Sequence, residues 1–251
     1  MFAVVELIEE KRRSILDYMK IFRKAEIEIN EITPENGKSF YHCKAKVRKG
    51  RIPWKAIKAV SPTERFILPY NVTEKPPVNV FTPEKLPQIM LFNSAVEYIK
   101  EKALSPSKTQ ITVVDKKGLY VNYFKDVIKL ASHITVVTSA QSYRQLSDEL
   151  LNAYGVSLII RDELYEDKGE NCFLFDYEAE TVPLSYNGTV FSKSKKYLLN
   201  GKSLTPGGFD LPYRYEQLLC KNINKLHFAS ALYELCEVKE LQKLKFNELC
   251  S

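Results

Sequence analysis

The amino-acid sequence predicts an α/β protein: a mostly parallel sheet with flanking helices, preceded by a small α+β domain. From Ile111 onward, continuous apolar and β-branched runs of strand length alternate with segments of helix length and period. Continuous runs of this kind are typical of parallel strands buried on both faces. The proline-rich stretch VTEKPPVNVFTPEKLP, residues 72–87, is typical of a linker. We therefore predict two domains, at residues 1–80 and 81–251.

The first domain is predicted to mix short strands and helices. FAVVEL is a strand, and residues 8–22 have the apolar spacing of a helix. AEIEIN alternates as a strand with one solvated face does. Residues 39–50 form another strand, in which His42 and Cys43 point to opposite faces. A helix at residues 53–60, with proline in its first turn, and a strand at 65–70 complete the domain.

The second domain begins with a helix predicted over residues 82–104. Strands follow at residues 111–115, 134–139, 156–162 and 172–177, with helices at 119–133 and 143–155 between them. Gly155 is the expected C-cap of the second of these helices. We expect a hairpin at Asn187–Gly188 and two final helices, at residues 213–223 and 226–236.

Composition excludes several classes of protein. The 251 residues are 45% hydrophobic and 27% charged, as is ordinary for a globular chain. No run approaches the roughly 20 apolar residues of a membrane span, and the N-terminal residues lack the pattern of a secretory signal. The five cysteines are scattered and form no CxxC pair, so neither a disulfide framework nor a metal site is predicted. We expect a cytoplasmic protein with no membrane association.

The positive charge is concentrated near the N-terminus. Residues 1–60 hold 14 basic and 8 acidic side chains, which accounts for the whole net charge of +6. Within this region the run KAKVRKGRIPWKAIK has seven basic residues and no acid. A basic run with an aromatic residue can bind nucleic acid or an acidic protein. The candidate residues are Lys44, Lys46, Arg48, Lys49, Arg51, Trp54, Lys55 and Lys58.

The turn after the first strand of the second domain is the candidate ligand site. A dinucleotide fingerprint, G-x-G-x-x-G, lies between such a strand and a helix, but here the turn is DKKGLYV, with one glycine. The second strand also ends without the acid that would bind a ribose. The turn is therefore either a cradle for a small anion or nucleotide, or a solvated turn with a structural glycine. The candidate residues of the cradle are Asp115, Lys116, Lys117, Gly118, Ser139 and Arg144.

A second glycine turn, TPGGFDLP, precedes the final helices. Gly207 and Gly208 expose backbone amides that could contact an anion, and the same residues also serve an ordinary turn before a helix. We keep both interpretations and count the two glycines among the candidate site residues.

The segments ITVVD and ASHITVVTSAQSYRQLSDELLNAYGVSLI follow one another in the order strand, helix, strand, helix, and TPGGFDLPYRYEQLL places a Pro-Gly-Gly turn before a helix. By these segments, residues 86–251 resemble the Rossmann-type domain of the amino-acid-dehydrogenase-like group, which includes shikimate dehydrogenase, glutamyl-tRNA reductase and methylene-tetrahydrofolate dehydrogenase. The Pro-Gly-Gly turn is similar to that of the folate enzymes. The resemblance implies a Rossmann-like fold. In that group the glycine-rich turn and the end of the second strand hold NADP, whereas here Gly118 and Thr138–Ser139 occupy these places.

Three functions follow from these patterns. The first is a binding or regulatory protein with a degenerate nucleotide site that takes a small anionic or nucleotide ligand. The second is binding of nucleic acid or an acidic partner through the basic N-terminal domain. The third is a divergent NAD(P)-dependent oxidoreductase. The sequence favours the first, with no cofactor and no catalytic residue assigned, and leaves NAD(P), the identity of the ligand and homo-oligomerisation open.

Overall fold

The computed structural model describes residues 1–9, 26–47, 51–164, 171–179 and 182–251. The chain divides into two compact units. The first comprises Met1–Leu86 and Leu211–Gln242, and the second comprises Pro87–Asp210 and Lys243–Ser251. This division differs from the predicted boundaries, because the segment with the last two helices belongs to the first unit. The predicted helix at residues 8–22 lies outside the described residues from Glu10 on, while Ile8 and Glu9 belong to a strand.

Within its described residues, the first unit contains a five-stranded sheet in the order β2-β3-β1-β4-β5. Strands β2 and β3 are antiparallel, and the other neighbours are parallel. The strands are β1 (Ala3–Glu9), β2 (Ile27–Ile32), β3 (Phe40–Val47), β4 (Arg65–Ile67) and β5 (Asn79–Val80). The helices are α1 (Trp54–Val60), α5 (Tyr213–Glu216) and α6 (Lys225–Leu235), and a 3₁₀ helix spans Lys239–Lys243, whose last residue is grouped with the second unit.

Both faces of this sheet are covered, because alternate residues of β1 and β3 point to opposite sides. On one face Val5, Cys43 and Ala45 pack with Ile57 of α1. On the other face Phe2 and Phe40 stack at 5.0 Å, and Phe228 of α6 meets Phe40 edge-on at 5.7 Å. This aromatic contact explains why the C-terminal helical segment belongs to the first unit.

The second unit contains a sheet with the order β12-β11-β10-β9-β6-β7-β8. Numbered along the chain, the six parallel strands that the described residues of this sheet contain have the order 3-2-1-4-5-6, which defines the Rossmann-type doubly wound fold. The last strand is antiparallel and extends one edge. The strands are β6 (Gln110–Val114), β7 (His133–Val137), β8 (Ile159–Arg161), β9 (Cys172–Phe175), β10 (Thr189–Phe191), β11 (Lys202–Pro206) and β12 (Leu249–Cys250).

The helices of this unit are α2 (Leu86–Glu101, whose first residue is grouped with the first unit), α3 (Phe124–Val127) and α4 (Ser142–Tyr154), with 3₁₀ turns at Pro106–Lys108 and Val121–Tyr123. Gly155 adopts the left-handed conformation, with a φ of 67°, and caps α4 as predicted. The predicted α/β class with a mostly parallel sheet is confirmed. None of the helices within the described residues combines the length and the hydropathy needed to cross a membrane.

Two local predictions for the second unit are wrong, and in the first unit the helix expected over residues 213–223 is limited to the four residues of α5. The expected hairpin at Asn187–Gly188 does not form, since β9 and β10 pair in parallel and Gly188 lies against the backbone of Cys172. The long helix expected over residues 119–133 is replaced by a 3₁₀ turn and the four-residue α3. The second difference matters for function, because this helix follows the candidate phosphate turn.

Candidate functional site

The carboxyl ends of four neighbouring strands in the Rossmann-type sheet share one arrangement. Each strand is followed directly by a buried polar residue that bonds within its own loop. Thr138 accepts a hydrogen bond from the amide of Ala140 at 2.9 Å, and Ser192 donates to the carbonyl of Ser194 at 2.8 Å. The four residues, after β6, β7, β9 and β10 respectively, are Asp115, Thr138, Asp176 and Ser192. This is the edge at which ligands bind in doubly wound folds.

Asp115 closes the turn that sequence singles out as a phosphate cradle. Its side chain is 5% exposed. Oδ1 accepts from the amide of Lys117 at 3.2 Å. Oδ2 accepts from the amide of Tyr120 at 2.8 Å and from the hydroxyl of Tyr143 at 2.7 Å. Two backbone amides of the turn are therefore bonded to a carboxylate of this chain.

The partners of Asp115 lie in an aromatic cluster. Tyr120 stacks on Phe92 with ring centroids 4.6 Å apart and meets Phe175 edge-on at 5.0 Å. Burial raises the pKa of both Tyr120 and Tyr143, and the negative charge of Asp115 raises each further. Both hydroxyls are thus held neutral, which is the state in which Tyr143 donates a hydrogen bond to the carboxylate.

Gly118 is required by the turn itself. Its φ is 74°, a left-handed conformation that L side chains rarely adopt. A Cβ at this position would lie 2.7 Å from Oγ of Ser142 and 3.4 Å from Cβ of Ala140. The glycine thus lets the loop after β6 pack against the loop after β7, which is the structural alternative considered from the sequence.

The other candidate residues of this turn remain at the surface. The side chains of Lys116, Lys117, Ser139 and Arg144 are exposed. Lys116 interacts electrostatically with Asp176, the buried acid at the end of the adjacent strand β9. Burial raises the pKa of Asp176, whereas the amides of Ala179 and Glu178 and the charge of Lys116 lower it in part.

Gly207 and Gly208 do not lie opposite Gly118 across a narrow cleft. They follow β11, and β9 and β10 lie between that strand and β6. Three strand spacings correspond to about 14 Å. The amide of Gly207 donates to the carbonyl of Glu248 at 3.1 Å, and the carbonyl of Gly208 accepts from Asn247 at 2.8 Å. Both glycines therefore serve the junction with the edge strand β12.

The basic N-terminal run is divided between two sides of the first sheet. Lys44 and Lys46 lie on the His42 face of β3, whereas Lys55 and Lys58 belong to α1, which packs on the opposite face. Lys46 pairs with Glu26. The cross-strand neighbours of Lys44 are Glu6 in β1 and Glu28 in β2. Of the other candidates, Arg51 is exposed, Trp54 packs partly against the core, and Arg48 and Lys49 lie outside the described residues.

The first unit also brings together three polar side chains that sequence reasoning does not connect. Nε2 of His42 lies 2.9 Å from a carboxylate oxygen of Glu6 and 3.2 Å from Sγ of Cys220. Burial raises the pKa of the Cys220 thiol to about 11. The charge of Glu6 adds to this rise, and that of Lys44 opposes it. Cys220 is 178 residues from His42 along the chain, so no spacing motif marks the cluster.

No protein-family model matches the chain. No curated protein matches it either. Among solved structures, the crystal structure of L-tryptophan dehydrogenase from Nostoc punctiforme is similar with a TM-score of 0.33 and 11% sequence identity. The match covers 82% of this chain, which spans 64% of the length of that protein. A similarity of this degree carries no inference about activity, so the fold assignment rests on the strand order of the sheet itself.

Proposed function

We propose that this protein has a binding or regulatory role and is not a dehydrogenase. In this proposal the first turn of the Rossmann-type unit has lost its dinucleotide site and binds its own carboxylate, that of Asp115. The observation that carries the proposal is the set of three hydrogen bonds onto Asp115, two of them from turn amides. The unit then serves as a scaffold, and any ligand binds elsewhere.

Electrostatics supports this proposal. A phosphate bonded to the amides of Lys117 and Tyr120 would be in contact with the Asp115 carboxylate, which accepts from the same amides. Two like charges about 4 Å apart repel by roughly 4 kcal/mol at the effective dielectric constant typical of protein surfaces. This corresponds to roughly a thousandfold loss in affinity. The exposed Lys116 and Lys117 can recover part of this energy, but solvent screens exposed charges strongly.

The short helix after the turn also supports the proposal. Phosphate binding at a strand–helix turn uses the free amides and the dipole of a regular helix. Here the turn leads into a 3₁₀ segment, Val121–Tyr123, and then into the four-residue α3. A helix of four residues aligns few peptide dipoles, so its N-terminus attracts an anion weakly.

Titration of the intact protein with NAD, NADP, ATP and inorganic pyrophosphate tests the proposal. We expect no change in melting temperature and no heat of binding up to millimolar concentrations. Saturable binding of NAD or NADP with a Kd below about 1 mM would refute the loss of the dinucleotide site and restore the oxidoreductase alternative. Binding of pyrophosphate that Asp115→Asn strengthens would show that the carboxylate only weakens an anion site that is still present.

A further inference from the structure

We propose that Glu6, His42 and Cys220 form a mononuclear site for a divalent transition-metal ion of the zinc class. This inference does not depend on the proposed function, because the three residues lie in the first unit and Asp115 lies in the second. One potential ligand atom from each residue lies within 4.8 Å of the other two.

The backbone positions two of the ligands from the sheet and the third from a loop. Val4 of β1 is in register with His42 of β3, so Glu6, two residues further on, is a same-face diagonal neighbour of the imidazole. Cys220 lies in the loop between α5 and α6. That loop is held to the segment after β4, where the amide of Tyr70 donates to the carbonyl of Asn222 at 2.9 Å.

Three potential ligand atoms converge on one point. Nε2 of His42 faces both the Glu6 carboxylate, at 2.9 Å, and the Cys220 sulfur, at 3.2 Å. Imidazole nitrogen, carboxylate oxygen and thiolate sulfur each present a lone pair that can be directed at a cation. This convergence of three ligand types from separate parts of the chain is the geometric basis of the proposal.

The donor set selects the class of ion. Thiolate and imidazole are ligands for zinc, copper and related ions, whereas calcium and magnesium bind through oxygen atoms. In a tetrahedral zinc site with ordinary bond lengths, nitrogen and oxygen ligands are about 3.4 Å apart and nitrogen and sulfur about 3.6 Å. The observed 2.9 and 3.2 Å require each pair to separate by a few tenths of an ångström. Side-chain rotation can supply movements of this size.

The site is also accessible and would be coordinatively open. The side chains of His42 and Glu6 are 14% and 24% exposed, so an ion can enter from solvent. Three protein ligands leave a fourth tetrahedral position for water or another small ligand, as in zinc sites that exchange ligands. Cys43, the sequence neighbour of His42, is buried in the core on the opposite face of the sheet and takes no part.

Titration of the metal-free full-length protein with Co²⁺, followed by competition with Zn²⁺, tests this inference. We expect one equivalent of Co²⁺ to produce a thiolate-to-cobalt charge-transfer band, and Zn²⁺ to remove it. Because the Cys220 thiol must ionise on binding, Zn²⁺ titrations by calorimetry in two buffers at pH 7.5 should show release of about one proton. Absence of the charge-transfer band in the folded wild-type protein would overturn the proposal.

Matched variants locate the metal. Cys220→Ser and His42→Gln should each weaken Zn²⁺ binding on the order of 100-fold or more and change the cobalt spectrum. Cys250→Ser and His133→Gln, which alter an exposed thiol and an exposed imidazole elsewhere, should leave both unchanged. Unchanged binding in folded Cys220→Ser, or loss of the band in Cys250→Ser, would refute the assignment. If Cys220→Ser does not fold, Glu6→Gln replaces it and should weaken Zn²⁺ binding at least tenfold.

Discussion

Replacement of Asp115 by alanine tests whether the chain itself occupies the candidate turn. The substitution removes the acceptor of three hydrogen bonds, from the amides of Lys117 and Tyr120 and from the hydroxyl of Tyr143. The amide of Tyr120 and the hydroxyl of Tyr143 are then left in a buried environment. Each unsatisfied donor costs about 1–3 kcal/mol.

Asp115→Ala also removes the free-energy cost of burying a carboxylate away from water, and this offsets part of the cost of the unsatisfied donors. We therefore expect Asp115→Ala to lower the free energy of unfolding by about 3–4 kcal/mol. Asp115→Asn, which keeps one acceptor oxygen, should lower it by about 1–2 kcal/mol. Asp148→Ala is the matched control, because it removes an exposed carboxylate from α4, and it should change stability by less than about 0.5 kcal/mol.

Urea unfolding followed by circular dichroism measures these differences. Hydrogen exchange of the amides at Lys117 and Tyr120 reports on the turn directly and should accelerate in Asp115→Ala. If Asp115→Ala is within about 0.5 kcal/mol of wild type and exchange is unchanged, the carboxylate is not tied into the turn. The two amides would then be available to phosphate, and the argument for a lost dinucleotide site would fail.

Three further predictions concern the same edge of the sheet. Gly118→Ala should destabilise the protein by about 1–2 kcal/mol in urea unfolding, because φ is 74° and the new Cβ meets Ser142. Adding Ser142→Ala to this variant should restore only the stability lost to the steric clash, and full restoration would contradict the role of φ. The pKa of Asp176 is raised in the folded state, so its contribution to stability is present at low pH and is lost as pH rises through the folded pKa. The melting temperature of Asp176→Asn relative to wild type should therefore increase from pH 3 to pH 7, and a constant difference would count against this. Burial raises the pKa of Tyr143, so above about pH 10 the unfolded state loses the phenolic proton before the folded state does. The free energy of unfolding then falls by up to roughly 1.4 kcal/mol per pH unit because of this group. Tyr143→Phe should be less stable than wild type at pH 8 but should lose stability less steeply above pH 10, and an unchanged slope would refute the assignment.

The proposed metal site and the proposed loss of the dinucleotide site make independent statements about the two units. If Co²⁺ binds at Cys220 and nucleotides do not bind, both proposals are supported: the first unit binds a metal ion, and the Rossmann-type unit acts as a scaffold. If nucleotides bind and Co²⁺ does not, both the proposed loss of the dinucleotide site and the proposed metal site are refuted, and the oxidoreductase alternative returns. The two experiments therefore separate these outcomes in one protein preparation.

Local patterns in the sequence determine four of the strands described in the Rossmann-type sheet, β6 to β9, but not β10, β11 or β12. The runs that become β6, β7 and β9 are continuous and β-branched or aromatic, which is the composition of strands buried on both faces. Gly155 ends α4 for a reason that is equally local, since glycine adopts a left-handed φ without strain. The absence of a complete glycine fingerprint after β6 is likewise visible in the sequence alone.

Only the tertiary structure decides what the candidate residues do. Asp115 looks like an exposed turn residue until Tyr143, 28 positions later, is placed against it. The hairpin expected at Asn187–Gly188 is replaced by parallel pairing with β9, a contact that turn chemistry does not encode. Cys220 and His42 are 178 residues apart in the sequence but are in contact in the structure. Helix α6 packs through Phe228 on the face of the first sheet that contains Phe40 and His42, and this places the preceding loop, with Cys220, beside His42. These contacts are non-local, and they depend on how separate elements pack rather than on the spacing of residues along the chain.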